Sequence, residues 1–313
     1  GTDMDEHAVE TFRTIASLSY IRGDHSTSFA DYAKDNENRK NFREVTVKKT
    51  LHASNDFYSP GGVFDSHVRW DKYYHKKTFQ KPRLCMSHSR FATIGKVSEK
   101  NAHPFIAGRL VGMHNGTIRS DFEGKKEFDT DTEALYNLLN KIGEKDGLHQ
   151  IAELTQTAFA LTWINLDKRT FNIIRNKERP LYFVKCYAKD LCFYASDRQF
   201  LTTVLPYFNI NAAPELVNVD TWFSFDLEAK DILHSQTREV VAPKPFFQPK
   251  KGENTTNSGR TITGEVLAKS VKEIKLPAFS AFTPYKALKK YEVARYKDDV
   301  ANVIRVKNVV KYY

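Results

Sequence analysis

Cysteine is scarce in this chain. Three residues of 313 carry a thiol: Cys85, Cys186 and Cys192. Three thiols cannot build a disulfide scaffold, and their spacing matches no metal-ligand pattern. Long apolar runs are lacking too. No segment approaches the roughly 18–20 apolar residues of a membrane-spanning helix. The first residues, Gly1-Thr2-Asp3-Met4-Asp5-Glu6, are acidic and polar, unlike a secretory leader. Disulfide-rich secreted modules, zinc modules and membrane-spanning proteins are therefore not expected, and a reducing, cytoplasmic setting is. No internal repeat is evident.

Core-forming material is plentiful. Hydrophobic residues make up 41% of the chain and charged residues 27%, with 22 Phe and 15 Tyr. That balance belongs to folded globular chains, and the length fits one large domain or two ordinary ones. The net charge is +10, unevenly spread. Residues 241–313 hold 15 Lys and Arg against 6 Asp and Glu, so the first 240 residues are nearly neutral. A basic tail of this kind either contacts nucleic acid or an acidic protein, or is a solvated extension. The stretch 243–259, with Pro243, Pro245 and Pro249 before a Lys-, Gly-, Asn- and Thr-rich run, reads as a linker. The chain thus divides into residues 1–240 and a basic extension, 241–313. Apolar positions at Tyr291, Ala294, Val300, Val303 and Ile304 follow a weak helical rhythm.

The body alternates few helices with many strands. Phe12, Ile15, Ala16 and Leu18 predict a helix that stops at Gly23. Strands are expected at 84–89 and 110–114, the latter entering a turn at Asn115-Gly116. Asp131-Thr132-Glu133 opens a helix to Ile142, with acids placed to suit the helix dipole. Strands follow at 158–166, 170–175, 181–185 and 191–195, with a further pair at 217–225 and 232–235. This order predicts helices on antiparallel sheet, an α+β fold.

Four stretches carry chemistry: Arg22-Gly23-Asp24-His25-Ser26; His88-Ser89-Arg90-Phe91-Ala92-Thr93-Ile94-Gly95 with Asn101-Ala102-His103-Pro104; His114-Asn115-Gly116-Thr117; and Asp129-Thr130-Asp131-Thr132-Glu133. Singly, each has an ordinary reading: an ion-paired Arg, a turn, a helix cap. His88, His103 and His114 lack the i,i+4 spacing of a metal helix and read as structural histidines. No metal or cofactor is expected.

Together, in this order, the stretches resemble the glutaminase domain of class II glutamine amidotransferases, a family of N-terminal-nucleophile hydrolases. The resemblance continues at Arg175 to Leu181 and at Ala195-Ser196-Asp197, and covers roughly residues 8–235. It implies a four-layer αββα sandwich of antiparallel sheets and the hydrolysis of glutamine to glutamate and ammonia. It also implies roles. Arg90 would bind the α-carboxylate through a bidentate fork and Asp131 the α-ammonium, while Thr93 would line the pocket. Asn115 and the N–H of Gly116 would form the oxyanion hole. Arg22 would help hold the region of the nucleophile.

The family's nucleophile is a Cys at the mature N-terminus. Residue 1 here is Gly, and the family's first strand has no counterpart in this sequence. Cys85, Cys186 and Cys192 read as inert core residues. Either a Cys-bearing strand precedes Gly1, or catalysis has been lost and the fold kept for binding. The presence of both Arg90 and Asp131 favours the first. Seventy-odd residues after position 240 are too few for a synthase domain. The acceptor chemistry is therefore expected on a protein partner to which the basic tail docks. Nucleic-acid contact through residues 241–313 is the alternative. An asparagine synthetase-like reading is weaker, because no ATP-binding domain follows.

Overall fold

The computed structural model describes residues 6–33, 45–67, 82–187, 190–241, 293–298 and 301–306. Helix α1 (Glu6–Leu18) leads into β1 (Ser26–Ala33) and β2 (Val45–Thr50). Two short helices, α2 (Ser54–Phe57) and α3 (Val63–His67), precede β3 (Pro82–Arg90), β4 (Phe105–Ala107) and β5 (Leu110–Ile118). Next come α4 (Asp131–Ile142), α5 (Glu144–Ala152), β6 (Thr157–Asn165), β7 (Thr170–Arg175), β8 (Tyr182–Cys186) and β9 (Leu191–Ala195). Helix α6 (Arg198–Val204) and strands β10 (Glu215–Leu216), β11 (Thr221–Asp226) and β12 (Thr237–Val240) complete the body.

A six-stranded sheet has the order β12-β11-β7-β6-β5-β4. Two smaller sheets, β2-β1-β3 and β10-β8-β9, lie opposite it. The strand pairs are antiparallel, as in β5 against β6, where Asn115 faces Ala160. Side-chain alternation builds the layers. Along β6, Phe159, Leu161 and Trp163 pack with Leu135, Leu139 and Leu148 of α4 and α5. Ala160 and Ile164 point the other way, to Ala30, Tyr32 and Met86 of the β1–β3 sheet. That sheet turns Phe29 and Cys85 to its outer face, under Val9 and Ala16 of α1. The β8–β9 sheet turns Val184, Phe193 and Ala195 under Ile15 and Leu18 of α1 and Phe200 and Leu201 of α6. Helices, sheet, sheet and helices follow in that order, an α+β architecture.

Helix α4 is capped by Thr130, whose hydroxyl accepts the N–H of Glu133 at 3.2 Å. Acid in its first turn comes from Asp131 and Glu133. Three expectations need correction. Asn115-Gly116 is not a turn: β5 runs on to Ile118 and pairs with β6 throughout. Gly116 is required there for another reason. Its φ is 151°, and a Cβ would collide with the carbonyl of Ala158. The partner of β11 is Thr237–Val240, not 232–235, which forms a turn. The apolar rhythm near the C-terminus is not helical: Val293–Asp298 and Ala301–Val306 pair as an antiparallel hairpin, β13 and β14. The expected linker 243–259 and the tail's aromatic residues lie outside the described residues. Among the described residues, no helix is long and apolar enough to cross a membrane.

Candidate active site

Strands β3 and β5, on different sheets, and the start of α4 border a common space. Their residues meet at one cavity of about 330 Å³, lined by Arg22, Arg90, Thr93, Asn115, Gly116 and Asp131. All six residues implicated by the sequence line this cavity, along with many others from both sheets.

Arg90, 5% exposed, closes β3. Its guanidinium donates to the carbonyls of Ile94 at 2.6 Å and Lys96 at 3.2 Å. The loop thus fixes the plane of the guanidinium and leaves further N–H donors for a ligand. Burial lowers the Arg90 pKa, and the nearby Asp131 carboxylate counters this. Asp131 is itself buried, and one of its oxygens accepts the N–H of Ile118 at 2.7 Å. The Asn115 Nδ2 is buried and has no partner. A buried amide donor left unmade costs roughly 1–3 kcal/mol, so a ligand acceptor would recover that amount. The Thr93 and Thr117 hydroxyls approach to 3.3 Å at the rim.

Arg22 lies 3.5 Å from Asp197, which caps α6 by accepting the N–H of Gln199. Desolvation lowers the Arg22 pKa; Asp197 opposes that, and Arg179 adds to it. Arg179 also lines the cavity, a residue that sequence reasoning passed over. It stands just before Pro180-Leu181, whereas the resemblance marks Arg175 as the Arg of that stretch. Arg175 is instead buried in the frame, donating to the carbonyls of Val217 and Asn176.

Three histidines line the same cavity, His103 and His114 buried and His88 half-buried. The His88 Nε2 donates to the His114 carbonyl at 3.2 Å, and the His114 Nε2 donates to the Ala158 carbonyl at 3.2 Å. The His114 Nδ1 then accepts from the Thr132 hydroxyl, which in turn accepts from the His103 Nε2. This network assigns all three rings the neutral Nε2–H tautomer. The Nδ1 atoms of His88 and His103 remain unpartnered lone pairs. Among the described residues, no group of three His, Cys, Asp or Glu is placed to hold a metal.

Burial, foremost, keeps all three imidazoles from protonating: that of His88 falls to about 3, and those of His103 and His114 are also lowered. An unfolded His titrates near 6.5. Below that pH the unfolded chain binds protons that the folded chain refuses. Each histidine therefore withdraws stability on acidification. Asp31 acts oppositely. Burial raises it to about 6, so the folded state gains from protonation between there and the ordinary carboxylate range. Three histidines against one carboxyl leave a net loss of stability as the pH falls below neutrality. Urea midpoints should fall steeply from pH 7 to 5; a midpoint that is level or higher at pH 5 would contradict this assignment.

The thiols divide differently from expectation. Cys85 is buried, and burial holds its pKa well above the ordinary value. Cys186 is half-buried against the core, and Cys192 opens onto the cavity, where burial still pushes its thiol up to about 12.

Fold and site together define a protein that resembles class II glutamine amidotransferases. The similarity extends to curated glutamine–fructose-6-phosphate aminotransferases (isomerizing). The protein of Bartonella quintana is 31% identical over 136 residues, 39% of this chain and 22% of that protein. The Helicobacter pylori protein is 27% identical over 197 residues, 55% of this chain and 33% of that protein. The chain therefore spans only about a fifth to a third of these relatives. Among solved structures, the glutamine phosphoribosylpyrophosphate amidotransferase from B. subtilis matches at a TM-score of 0.49 and 15% identity, covering 74% of this chain and 47% of that one. No family model matches the chain.

Proposed function

We propose that this chain is the glutamine-hydrolysing part of an amidotransferase with the N-terminal-nucleophile hydrolase fold. The observation that carries the reading is the convergence of Arg90, Asp131 and the unpartnered Asn115 amide on one cavity. Glutamine brings a matching group to each. Its α-carboxylate meets the guanidinium of Arg90 and its α-ammonium the carboxylate of Asp131. Its side-chain carbonyl meets the Asn115 amide and the N–H of Gly116. Thr93 borders the pocket, and Arg22 braces the side where the nucleophile arrives.

The nucleophile comes from a strand not among the described residues. Among the described residues, strands β3 and β9 each pair with one neighbour, β1 and β8 respectively. Their open edges both line the cavity, through Leu84 to Arg90 and Leu191 to Ala195. Open edges of this kind accept another strand. Helix α1 and the turn after it lie along the same slot: Val9 packs near Cys85, and beyond the helix end the Ser19 hydroxyl reaches that of Ser89 at 2.5 Å. A strand leading into α1 would therefore run antiparallel to β3 and begin beside Arg90 and Asn115. A Cys at its start would put its thiolate on the amide carbon of glutamine. Its own α-amine would take the thiol proton and pass it to the departing ammonia. The oxyanion would form against Asn115 and Gly116. Water would then cleave the thioester and release glutamate. The ammonia passes to an acceptor on a partner, and the basic segment 241–313 is the segment we assign to partner contact.

The test is incubation of the native protein with a glutamine-mimicking electrophile, followed by peptide mass mapping. An adduct on a Cys preceding α1 supports the reading. An adduct on Cys85, Cys186 or Cys192 refutes it. No adduct, with glutamine still bound, leaves a binding module without catalysis.

Asp131→Asn should weaken glutamine binding by about tenfold or more, because the ammonium loses its counter-charge. The amide can still accept the N–H of Ile118, so the fold should hold. Calorimetric titration checks this; unchanged affinity would remove Asp131 from the site.

A further inference from the structure

We propose that His25 is a positioning residue that holds Arg90 in its binding geometry; this rests on the glutamine-pocket reading. His25 grips residue 91 from both sides. Its backbone N–H donates to the Arg90 carbonyl at 3.1 Å, and its Nδ1 accepts the N–H of Ala92 at 2.9 Å. The ring also stacks on Phe91, with centroids 4.8 Å apart and planes within 22°. Phe91 is half exposed, so the imidazole supplies a wall that the loop lacks. An acceptor role at Nδ1 fixes the ring as neutral with its proton on Nε2.

The clamp acts on the loop that leaves β3. Residues 91–96 run out from the strand end and turn back, and two of their carbonyls, Ile94 and Lys96, hold the Arg90 guanidinium. The carbonyl of Lys96 is itself tied to the Asn101 amide at 3.1 Å. The loop is thus pinned at its far end by Asn101 and at its near end by His25. Gly23 allows the approach, since a Cβ there would collide with the backbone of Arg90 and Phe91. Without the near pin, the loop carbonyls are free to move, and the guanidinium plane moves with them. A bidentate contact tolerates little such error.

Two substitutions separate the acceptor from the ring. His25→Asn keeps an acceptor near the Nδ1 position and removes the stack. His25→Phe keeps the stack and removes the acceptor. Glutamine affinity by calorimetry and exchange of the Ala92 amide hydrogen are read for both, with thermal midpoints to verify folding. His25→Phe should lose about tenfold in glutamine affinity, the equivalent of one hydrogen bond, and its Ala92 amide should exchange faster. His25→Asn should keep affinity within about twofold and retain the protection. In the active native protein, His25→Phe should raise KM and leave kcat. The proposal is overturned if His25→Phe binds like the parent, or if His25→Asn falls as far as His25→Phe. If the parent protein binds no glutamine, the glutaminase reading fails by itself. The clamp is then judged by amide exchange, and unchanged exchange at Ala92 in His25→Phe overturns it.

Discussion

Arg90→Ala should weaken glutamine binding on the order of a hundredfold. The α-carboxylate would lose a desolvated, forked partner, and breaking such a pair costs several kcal/mol because the remaining charge stays buried and unpaired. Arg90→Lys should recover little of this. A lysine is a point charge on a flexible stem and cannot contact the carbonyls of Ile94 and Lys96 while presenting two parallel donors. Arg109→Ala is the control. Arg109 is exposed and pairs with Asp167 at 3.1 Å, away from the cavity lining. Its loss should change affinity by less than about twofold. Calorimetric titration of the three variants checks the set. Equal affinities for Arg90→Ala and Arg109→Ala would remove Arg90 from the pocket.

Asn115→Ala should lower kcat of the native enzyme about 10²–10³-fold and change KM little. Its amide is buried and unpartnered without a ligand, so its full strength is available to the charge that develops on oxygen. Strand β5 should survive the change, because the ladder to Ala160 is made by backbone groups. Steady-state kinetics test this. A large rise in KM with kcat unchanged would place Asn115 among ordinary substrate contacts.

The candidate site residues are easier to read from the sequence than the segments around them. Arg90, Asn115 and Asp131 were legible because each sits in a short stretch whose order carries the resemblance. Strands β6 and β7 were legible because Phe, Leu, Trp and Ile fill both faces of a central strand. Asn115-Gly116 misled, since the pair that favours a tight turn here serves close packing of β5 on β6. Ile232 and Leu233 looked like a strand but enter the core from a turn, their N–H groups held by the Asp190 carboxylate. The true partner, Thr237–Val240, is polar and mostly exposed, an edge strand with no apolar alternation to read. Arg179 and His25 fall within stretches the sequence singles out but carry no role there, because their contacts are with residues far away in sequence: Arg22 for one, Phe91 and Ala92 for the other.

The central claim is that one cation and one carboxylate hold opposite ends of a free amino acid. Cross-titration tests it most directly. The parent, Arg90→Ala and Asp131→Asn are each titrated with glutamine, with its decarboxylated analogue and with its deaminated analogue. Arg90→Ala should no longer distinguish glutamine from the analogue without the carboxylate, yet still prefer it over the analogue without the amine. Asp131→Asn should show the converse. Both variants losing the same preference, or neither losing any, would contradict the account.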